Sequence, residues 1–406
     1  MADGILMLIY DGIGDRPVKE LGGRTPLEAA KTPNLDKAAE KGINGMMDTV
    51  APGIIPGSDT GHLALLGYDP FEVYTGRGPF EAAGLGMKLE PGHVAFRCNF
   101  SNVEDGLVTD RRAGRIKNGT RELSKAINEM DIGIDFVLEP SVEHRCVLIF
   151  KEQGLGPRVS DVDPHHDSVP FLESKPLSDR SEDARTAELL NEFVIKSMKV
   201  LSEHPINKKR VEEGKNPANI ILPRGAGAVP HIESLPARTG MKCAAMAGIP
   251  LVRGVCGMAG MDIIKVPGAT GGLDTDIEAI YGAAIDALEE YDFVLVNIKG
   301  SDISGHDGLA DQKIEFIEKL DKYFHVFGSL EDVHIAVTGD HSTPVTVKDH
   351  SGDPLPLTII GPGVRVDDVK EYNERSCARG GLSRIRGDDL LNILLDLSCR
   401  AEKFGA

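Results

Sequence analysis

Short, uninterrupted apolar runs are the feature that most limits how this chain can fold. ILMLIY (5–10) and FVLV (293–296) are two such runs, and each is followed by a polar, glycine-containing segment. They alternate with amphipathic helical patterns such as PNLDKAAEK (33–41), for which Thr32 is a plausible N-cap and Gly42 a plausible end. Strands that are apolar on both faces are typical of a parallel sheet covered by helices on both sides. The pattern therefore predicts an α/β fold with a parallel-rich sheet.

The same alternation returns in the second half of the chain. We predict strands there at NIILP (219–223), PLVRGV (250–255), MDIIKV (261–266), FVLV (293–296) and HIAV (334–337), and helices over 239–247, 274–290 and 312–324. Between the two α/β blocks the pattern changes to alternating strand candidates, a basic DRRAGR and a histidine-bearing loop. We therefore predict a discontinuous core domain, 1–86 with 203–406, and a smaller inserted α+β domain, 87–202.

Composition limits the partners and the cellular setting. The 406 residues carry a formal net charge of −18, which disfavours binding to a nucleic-acid backbone. The six cysteines form no C-x-x-C pair, so they indicate neither a zinc knuckle nor a redox motif. No stretch approaches the roughly 20 apolar residues that a membrane span needs. We expect a cytoplasmic protein that acts on small molecules, without nucleic acid or membrane as a partner, and possible assembly as a homo-oligomer stays open.

Carboxylates and imidazoles follow several of the predicted strands. The candidate ligands are Asp11, Asp302, His306, Asp340, His341 and His350. Taken singly, each aspartate could equally be a helix N-cap or turn residue, and each histidine a solvated loop residue. Ligands gather at the carboxyl ends of parallel strands, and this donor set suits Zn, Mn, Co or Fe. Their coincidence at one predicted sheet edge indicates a metal site with room for a pair of ions.

Ser58 begins the segment SDTGHLALLGY, directly after a Pro-Gly turn. It is either an ordinary helix cap or a nucleophile at a helix N-terminus, where backbone N–H groups favour a phosphate. Competing motifs are weak, because the chain has neither a P-loop nor a G-x-S-x-G elbow. A serine activated by nearby divalent ions would make an alkoxide nucleophile.

Six segments carry a resemblance to a known family: DGIGDRP, PGSDTGHLALLGYDP, YTGRGPFEAAG, KGSDISGHDG, TGDHSTP and KDHSGDPLPL. Together they resemble the 2,3-bisphosphoglycerate-independent phosphoglycerate mutases of the archaeal type, within the alkaline phosphatase superfamily. The resemblance implies an alkaline-phosphatase-like core with an inserted lid domain. It also implies interconversion of 3-phosphoglycerate and 2-phosphoglycerate, a step of glycolysis and gluconeogenesis, through a phosphoserine and without 2,3-bisphosphoglycerate.

The same resemblance implies a ligand set for two divalent ions, with Mn expected and Co, Zn or Mg as alternatives. The first ion would be held by Asp302, His306 and His350, and the second by Asp11, Ser58, Asp340 and His341. Ser58 would be the residue that becomes phosphorylated.

The substrate carries a carboxylate and a phosphate, which arginine binds bidentately. Candidate substrate residues are Arg97, Arg111, Arg112, Arg115 and Arg224, with Asp163 and His165 as further substrate or acid–base groups. Two kinds of alternative stay open: a metal-dependent phosphomonoesterase or phosphopentomutase of the same superfamily, and a non-catalytic protein that binds phosphorylated metabolites.

Overall fold

The structure is a computed structural model that describes residues 4–403 and 405. Its strands are β1 (Gly4–Tyr10), β2 (Ile43–Asp48), β3 (Val94–Glu104), β4 (Leu107–Asp110), β5 (Phe136–Pro140), β6 (Arg145–Phe150), β7 (Val169–Pro170), β8 (Ile220–Ala228), β9 (Cys243–Ala247), β10 (Asp262–Ile263), β11 (Phe293–Ile298), β12 (Val333–Thr338), β13 (Leu355–Ile360) and β14 (Ser383–Arg386).

Its α-helices are α1 (Pro26–Ala29), α2 (Pro33–Lys41), α3 (Ser58–Leu65), α4 (Pro70–Val73), α5 (Gly78–Gly84), α6 (Thr120–Asn128), α7 (Ser181–Glu203), α8 (Pro205–Glu212), α9 (Leu235–Thr239), α10 (Pro250–Met258), α11 (Ile277–Ala287), α12 (Gly300–Asp307), α13 (Ala310–Phe324), α14 (Glu374–Cys377) and α15 (Gly387–Leu397). Two 3₁₀ helices span Lys19–Leu21 and His325–Ser329. Within the described residues, no helix is both long enough and apolar enough to cross a membrane.

The chain divides into two compact units. The larger unit contains the chain up to Val73 and again from Ile232 onward, and the smaller unit is Tyr74–His231. The domain boundaries of the structure therefore differ from the predicted boundaries, which lay at 86/87 and 202/203. Three elements that the sequence placed with the core, α5, α8 and β8, lie in the smaller unit. There α5 and β8 pack on β3, β8 as a paired strand, and α8 packs on α7.

An eight-stranded sheet forms the centre of the larger unit. Its strand order is β10-β9-β11-β1-β12-β13-β2-β14, and all strands except β13 run in the same direction. Every residue of β1 and of β11 is buried. Because successive residues of a strand face opposite sides, both faces of the sheet are covered at its centre. The predicted α/β class with a parallel-rich sheet is confirmed.

The smaller unit is built on an antiparallel sheet. Its strand order is β5-β6-β3-β4-β7, and β8 pairs with the edge of β3 that lies opposite β6. One face packs a core of aromatic and aliphatic side chains against α6 and α7, in which Phe96, Phe150 and Phe193 form edge-to-face ring contacts. Alternate residues of β3 point to the opposite face, where Ala95 packs with Ala82 of α5. This second face carries Arg97 and Asn99.

Two predicted elements were wrong, and one predicted strand lies in a different sheet. Residues 239–247 were predicted as a helix, but 243–247 form the buried strand β9 between β10 and β11. The alanine-rich CAAMA favours a helix locally, and pairing on both sides overrides that preference. PLVRGV (250–255) was predicted as a strand and is part of helix α10, with Pro250 in its first turn. NIILP (219–223) is part of strand β8, but in the antiparallel sheet of the smaller unit.

Candidate active site

Three adjacent parallel strands bring together the acidic residues that were predicted to bind metal. β11, β1 and β12 are neighbours in the sheet. Asp11 directly follows β1, Asp302 lies in the first turn of α12 after β11, and Asp340 lies two residues after β12. Parallel strands end at the same sheet edge, so the three carboxylates meet there. All three side chains are buried.

Two groups of possible metal ligands form around Asp302. In the first, the side chains of Asp302, His306 and His350 have donor atoms within 4.8 Å of one another, and in the second the same holds for Asp11, Asp302 and His341. His306 Nε2 and His350 Nε2 lie 3.4 and 3.5 Å from Asp302 Oδ1. His341 Nε2 lies 3.5 Å from Asp11 Oδ1. The two groups share Asp302 and are therefore contiguous.

The imidazole rings are oriented as metal ligands usually are. His306 Nδ1 donates to the carbonyl oxygen of Lys348 at 3.1 Å, and His350 Nδ1 donates to that of Pro56 at 2.8 Å. A carbonyl can only accept, so each Nδ1 carries a proton and each Nε2 of a neutral ring presents its lone pair to Asp302. A lone pair that faces a carboxylate is repelled by it unless a cation lies between them. In metal sites, a hydrogen bond at the other ring nitrogen usually fixes the orientation of the histidine ligand.

The charges at this sheet edge also favour cations. Burial raises the pKa of Asp11, and the neighbouring Asp340 raises it further. Burial would raise the pKa of Asp302 too, but the neighbouring charges, that of Lys299 first, outweigh burial and lower that pKa. Lys299 Nζ lies 3.0 Å from Asp11 Oδ1 and 2.6 Å from Asp302 Oδ2. Asp340 Oδ2 is buried, and none of the described residues donates a hydrogen bond to it. Three buried carboxylates with one ammonium group make a donor set that fits divalent metal ions.

Ser58 is the first residue of α3, and its hydroxyl does not cap that helix. The N-cap residue is Gly57, whose N–H donates to Thr60 Oγ1 at 3.0 Å, while Thr60 N donates to Asp59 Oδ1 at 3.0 Å. Ser58 Oγ instead lies 3.2 Å from His341 Nε2, within the ligand cluster, and the residue is buried. Of the two interpretations that the sequence left open, the geometry favours the nucleophile.

His62 and Asn297 connect Ser58 to Asp11. His62 Nδ1 donates to the carbonyl oxygen of Ser58 at 2.7 Å, which leaves its Nε2 to accept from Asn297 Nδ2 at 3.3 Å. The same Asn297 Nδ2 lies 3.2 Å from Asp11 Oδ2. Through these hydrogen bonds, the His62 ring takes part in holding the start of α3 against the end of β1.

In the smaller unit, Asp163 organises a cluster of basic residues. Its side chain is fully buried and accepts two hydrogen bonds from Arg111, from Nε at 2.7 Å and from Nη2 at 2.6 Å. Arg224 Nε lies 3.5 Å from the same carboxylate. His165 Nε2 lies 2.9 Å from Asp161 Oδ2, and its Nδ1 lies 3.5 Å from Arg224 Nη1. The predicted residues Arg111, Asp163, His165 and Arg224 are thus brought together.

Arg97 belongs to the same surface. It pairs with Arg224 across β3 and β8, and its Nε lies 3.5 Å from Glu81 Oε1. Burial lowers the pKa of Arg97, and the nearby Arg77 lowers it further. Three buried atoms have no hydrogen-bond partner in the part of the chain that the structure describes: Arg97 Nε, Arg224 Nε and Asn99 Oδ1. Several buried cations with unsatisfied donors are the environment expected of a site for an anion.

Arg112 and Arg115 do not join this ion-pair network within the described residues, and both are exposed. Arg115 lines an open groove of about 730 Å³ together with Lys117 and Lys209. The surrounding charge still affects a neighbour: burial, and after it Arg145 and Arg112, lower the pKa of His144 to about 4.

Comparison with known proteins identifies the family. The family model of 2,3-bisphosphoglycerate-independent phosphoglycerate mutase matches residues 39–207. A protein of that name from Methanothermobacter thermautotrophicus is 52% identical over 411 residues, which cover 99% of this chain and 100% of that protein. This chain belongs to the 2,3-bisphosphoglycerate-independent phosphoglycerate mutase family. The resemblance seen in the sequence is confirmed, including its archaeal branch, since a Methanosphaera stadtmanae protein of the same name is also 52% identical over 99% of each chain.

Solved structures agree with this membership. A cofactor-independent phosphoglycerate mutase from Thermoplasma acidophilum has a TM-score of 0.72 and 39% identity, covering 98% of this chain and 100% of that one. The PH0037 protein from Pyrococcus horikoshii has a TM-score of 0.90 and 40% identity over the whole of both chains. The family is one of isomerases.

Relative to the sequence analysis, the structure gathers every residue that was predicted to ligate metal at one sheet edge of this mutase-family chain. Their roles stay predictions. Sequence reasoning missed Lys299, Asn297 and also Thr343, whose hydroxyl lies 2.8 Å from Asp302 Oδ1. Lys299 stands three residues before Asp302, and its position at the end of a buried strand was the available signal. Nothing in the local pattern marked Asn297, which lies inside β11.

Proposed function

We propose that this chain interconverts 3-phosphoglycerate and 2-phosphoglycerate through a phosphoserine at Ser58, without 2,3-bisphosphoglycerate. Membership of the mutase family supports this proposal. The observation that carries it is the position of Ser58 Oγ, which is buried 3.2 Å from His341 Nε2 and free of a capping role. A serine placed only for helix stability would bond its own first turn instead.

We propose further that two divalent ions bind at the sheet edge, with Mn as the expected metal and Co, Zn or Mg as alternatives. One would be held by Asp302, His306 and His350, and the other by Asp11, Ser58, Asp340 and His341. When bound, such ions would neutralise charge on the transferring phosphoryl group and favour the alkoxide form of serine. The fit rests on the orientation of the imidazoles and on Asp340 Oδ2, which accepts no hydrogen bond from the described residues.

The chain's own groups account for the remaining steps. Ser58 Oγ gives up its proton and attacks phosphorus in line, and the oxygen at C3 of glycerate leaves and takes up a proton. Glycerate reorients, its C2 hydroxyl gives up a proton and attacks the phosphoserine, Ser58 Oγ leaves and takes up a proton again, and 2-phosphoglycerate departs. We propose that His165, oriented by the carboxylate of Asp161, gives the proton to the C3 oxygen and takes the one from the C2 hydroxyl, with Asp163 fixing the arginines beside it.

The smaller unit would bind the carboxylate and phosphate of the substrate. Among the candidates Arg97, Arg111, Arg112, Arg115 and Arg224, we favour Arg97 and Arg224, because their buried Nε atoms make no hydrogen bond with any described residue. Arg111 already has a bidentate partner in Asp163. We propose that this unit acts as a lid, because water that reached the phosphoserine would release phosphate and turn the mutase into a phosphatase.

The test is a coupled mutase assay on chelator-treated protein, with Mn, Co, Zn or Mg added back singly and no 2,3-bisphosphoglycerate. We expect turnover that returns with Mn and that is abolished by Ser58→Ala. Ser124→Ala is the matched control, since Ser124 is a buried serine of the smaller unit whose hydroxyl has no partner. Phosphate release without 2-phosphoglycerate would favour a phosphomonoesterase, and turnover of pentose phosphates alone a phosphopentomutase. No turnover with any metal would leave a binding protein. The cytoplasmic location and a homo-oligomeric state stay predictions.

A further inference from the structure

Thr343 lies where the two groups of candidate metal ligands meet. It follows Asp340 and His341 after β12, and its side chain is fully buried. Its hydroxyl oxygen lies 2.8 Å from Asp302 Oδ1 and 3.0 Å from His341 Nδ1. Asp302 belongs to both ligand groups and His341 to the second. One hydroxyl therefore contacts a member of each group.

The chemistry of the three groups fixes the direction of both hydrogen bonds. A threonine hydroxyl has one hydrogen to donate, and an ionised carboxylate can only accept. The hydroxyl hydrogen of Thr343 therefore goes to Asp302, and Thr343 Oγ1 accepts from His341 Nδ1. The proton of the neutral His341 ring is then on Nδ1. Its Nε2 lone pair faces Ser58 Oγ at 3.2 Å and Asp11 Oδ1 at 3.5 Å.

Lys313 of α13 fixes the backbone of Thr343 by a hydrogen bond. Lys313 is fully buried, and its Nζ donates to the carbonyl oxygens of Thr343 and Gly14 at 3.0 and 3.1 Å and to Asp15 Oδ2 at 2.8 Å. Thr343 N in turn donates to Gly14 O at 3.1 Å. An ammonium group with three acceptors is satisfied. It ties the loop after β1 to the loop after β12.

Two glycines leave no space for Thr343 to move. A Cβ built on Gly12 would come within 2.7 Å of Thr343 Oγ1, and one built on Gly305 within 2.3 Å of Thr343 O. Gly12 also has a φ of +70°, where side chains are rarely found. The hydroxyl is thus held in one position by packing as well as by hydrogen bonds.

We propose that Thr343 is a positioning residue for metal binding, which fixes the tautomer of His341 and the orientation of Asp302 while Lys313 holds it in place. The inference rests on the proposed function in so far as these residues bind metal, but it does not require that the chain be a mutase. A histidine whose Nε2 carried the proton could not ligate through that atom. The hydroxyl of Thr343 thereby selects the form of His341 that can bind.

The variants follow from this geometry. Thr343→Val keeps the shape and removes both hydrogen bonds, whereas Thr343→Ser keeps the hydroxyl. Loss of such an outer partner typically lowers metal affinity about 10- to 100-fold, so we expect that loss in Thr343→Val and much less in Thr343→Ser. Thr358→Val is the control, because Thr358 is an equally buried threonine of β13 whose hydroxyl donates to Asn44, away from the ligand groups. It should lose stability without losing metal affinity.

The experiment is calorimetric titration of Mn²⁺ into chelator-treated full-length protein for the wild type and the three variants. Thermal unfolding without metal, run in parallel, reports stability. A purely structural role would lower unfolding temperature in Thr343→Val and Thr358→Val alike and leave Mn²⁺ affinity unchanged in both. That outcome would overturn the proposal, as would an equal loss of affinity in Thr343→Ser and Thr343→Val.

A second measurement needs no variant. Imidazole ¹⁵N NMR of the metal-free wild type reports which nitrogen of His341 carries the proton. We expect Nδ1–H, and an Nε2–H tautomer would refute the proposal even if Thr343→Val did not fold. Absence of mutase turnover combined with the expected affinities would refute the proposed function and leave this inference standing.

Discussion

Lys313→Met removes a buried charge while keeping most of the side-chain volume. In the wild type, the side chains of Lys313 and Asp15 are both fully buried and pair at 2.8 Å. After the substitution, Asp15 keeps hydrogen bonds from the backbone N–H groups of Arg16 and Val345 but has lost its cation. Removing one partner of a buried ion pair costs about 3–5 kcal/mol, because the other charge stays buried and uncompensated.

The double variant Asp15→Asn with Lys313→Met separates this cause from lost packing. With both charges gone, the cost should fall to about 1–2 kcal/mol, which corresponds to the hydrogen bonds that are no longer made. The free energy of unfolding is obtained from urea titration of chelator-treated protein. As a control, Lys370→Met breaks an exposed pair with Glu40 at 3.2 Å and should cost less than about 1 kcal/mol. A loss below about 1 kcal/mol in Lys313→Met, or a double variant no more stable than the single one, would refute the reasoning.

Three further predictions concern pH, backbone packing and substrate binding. Burial raises the pKa of Glu374 from 4.5 to about 7. In this range the folded carboxyl keeps a proton that the unfolded one loses, so the free energy of unfolding falls as pH rises from about 4.5 to about 7. Glu374→Gln should therefore raise the unfolding temperature at about pH 8 more than at about pH 5. Gly12→Ala should prevent folding or Mn²⁺ binding, because its Cβ would lie 2.6 Å from the Asp302 backbone. The control Gly23→Ala places its Cβ in open space at a φ of +80°, so it should lower the free energy of unfolding by only about 1–2 kcal/mol. Arg97→Met should raise the KM for 3-phosphoglycerate about 10- to 100-fold and leave Mn²⁺ affinity unchanged, because a charged hydrogen bond is worth about 1.5–3 kcal/mol.

The sequence predicted the central part of the fold because uninterrupted apolar runs permit few arrangements. β1 and β11 are buried on both faces and occur where the pattern placed them. β9 was mistaken for a helix because CAAMA has no β-branched residue, and only its two neighbouring strands make it a strand. The assignment of β8 to the smaller unit depends on pairing with β3, which lies more than a hundred residues earlier and leaves no local signal.

The sequence predicted the candidate metal-binding residues but not the residues that position them. Asp11, Asp302 and His341 stand at strand ends within recognisable motifs. Lys299 and Thr343 belong to the same motifs, but their partners are distant in sequence, and a lysine or threonine after a strand is usually a surface residue. In the smaller unit, the sequence named Arg115 and Arg224 together. The fold distinguishes them, because Arg224 pairs with Arg97 across β3 and β8 whereas Arg115 is exposed.

Peptide mass spectrometry of protein quenched in acid during turnover of 3-phosphoglycerate tests the central claim most directly. With Mn²⁺ present and 2,3-bisphosphoglycerate absent, we predict a phosphoryl group on the peptide that contains Ser58, and on that residue alone. Turnover without phosphorylation of Ser58, or turnover only after 2,3-bisphosphoglycerate is added, would contradict the account.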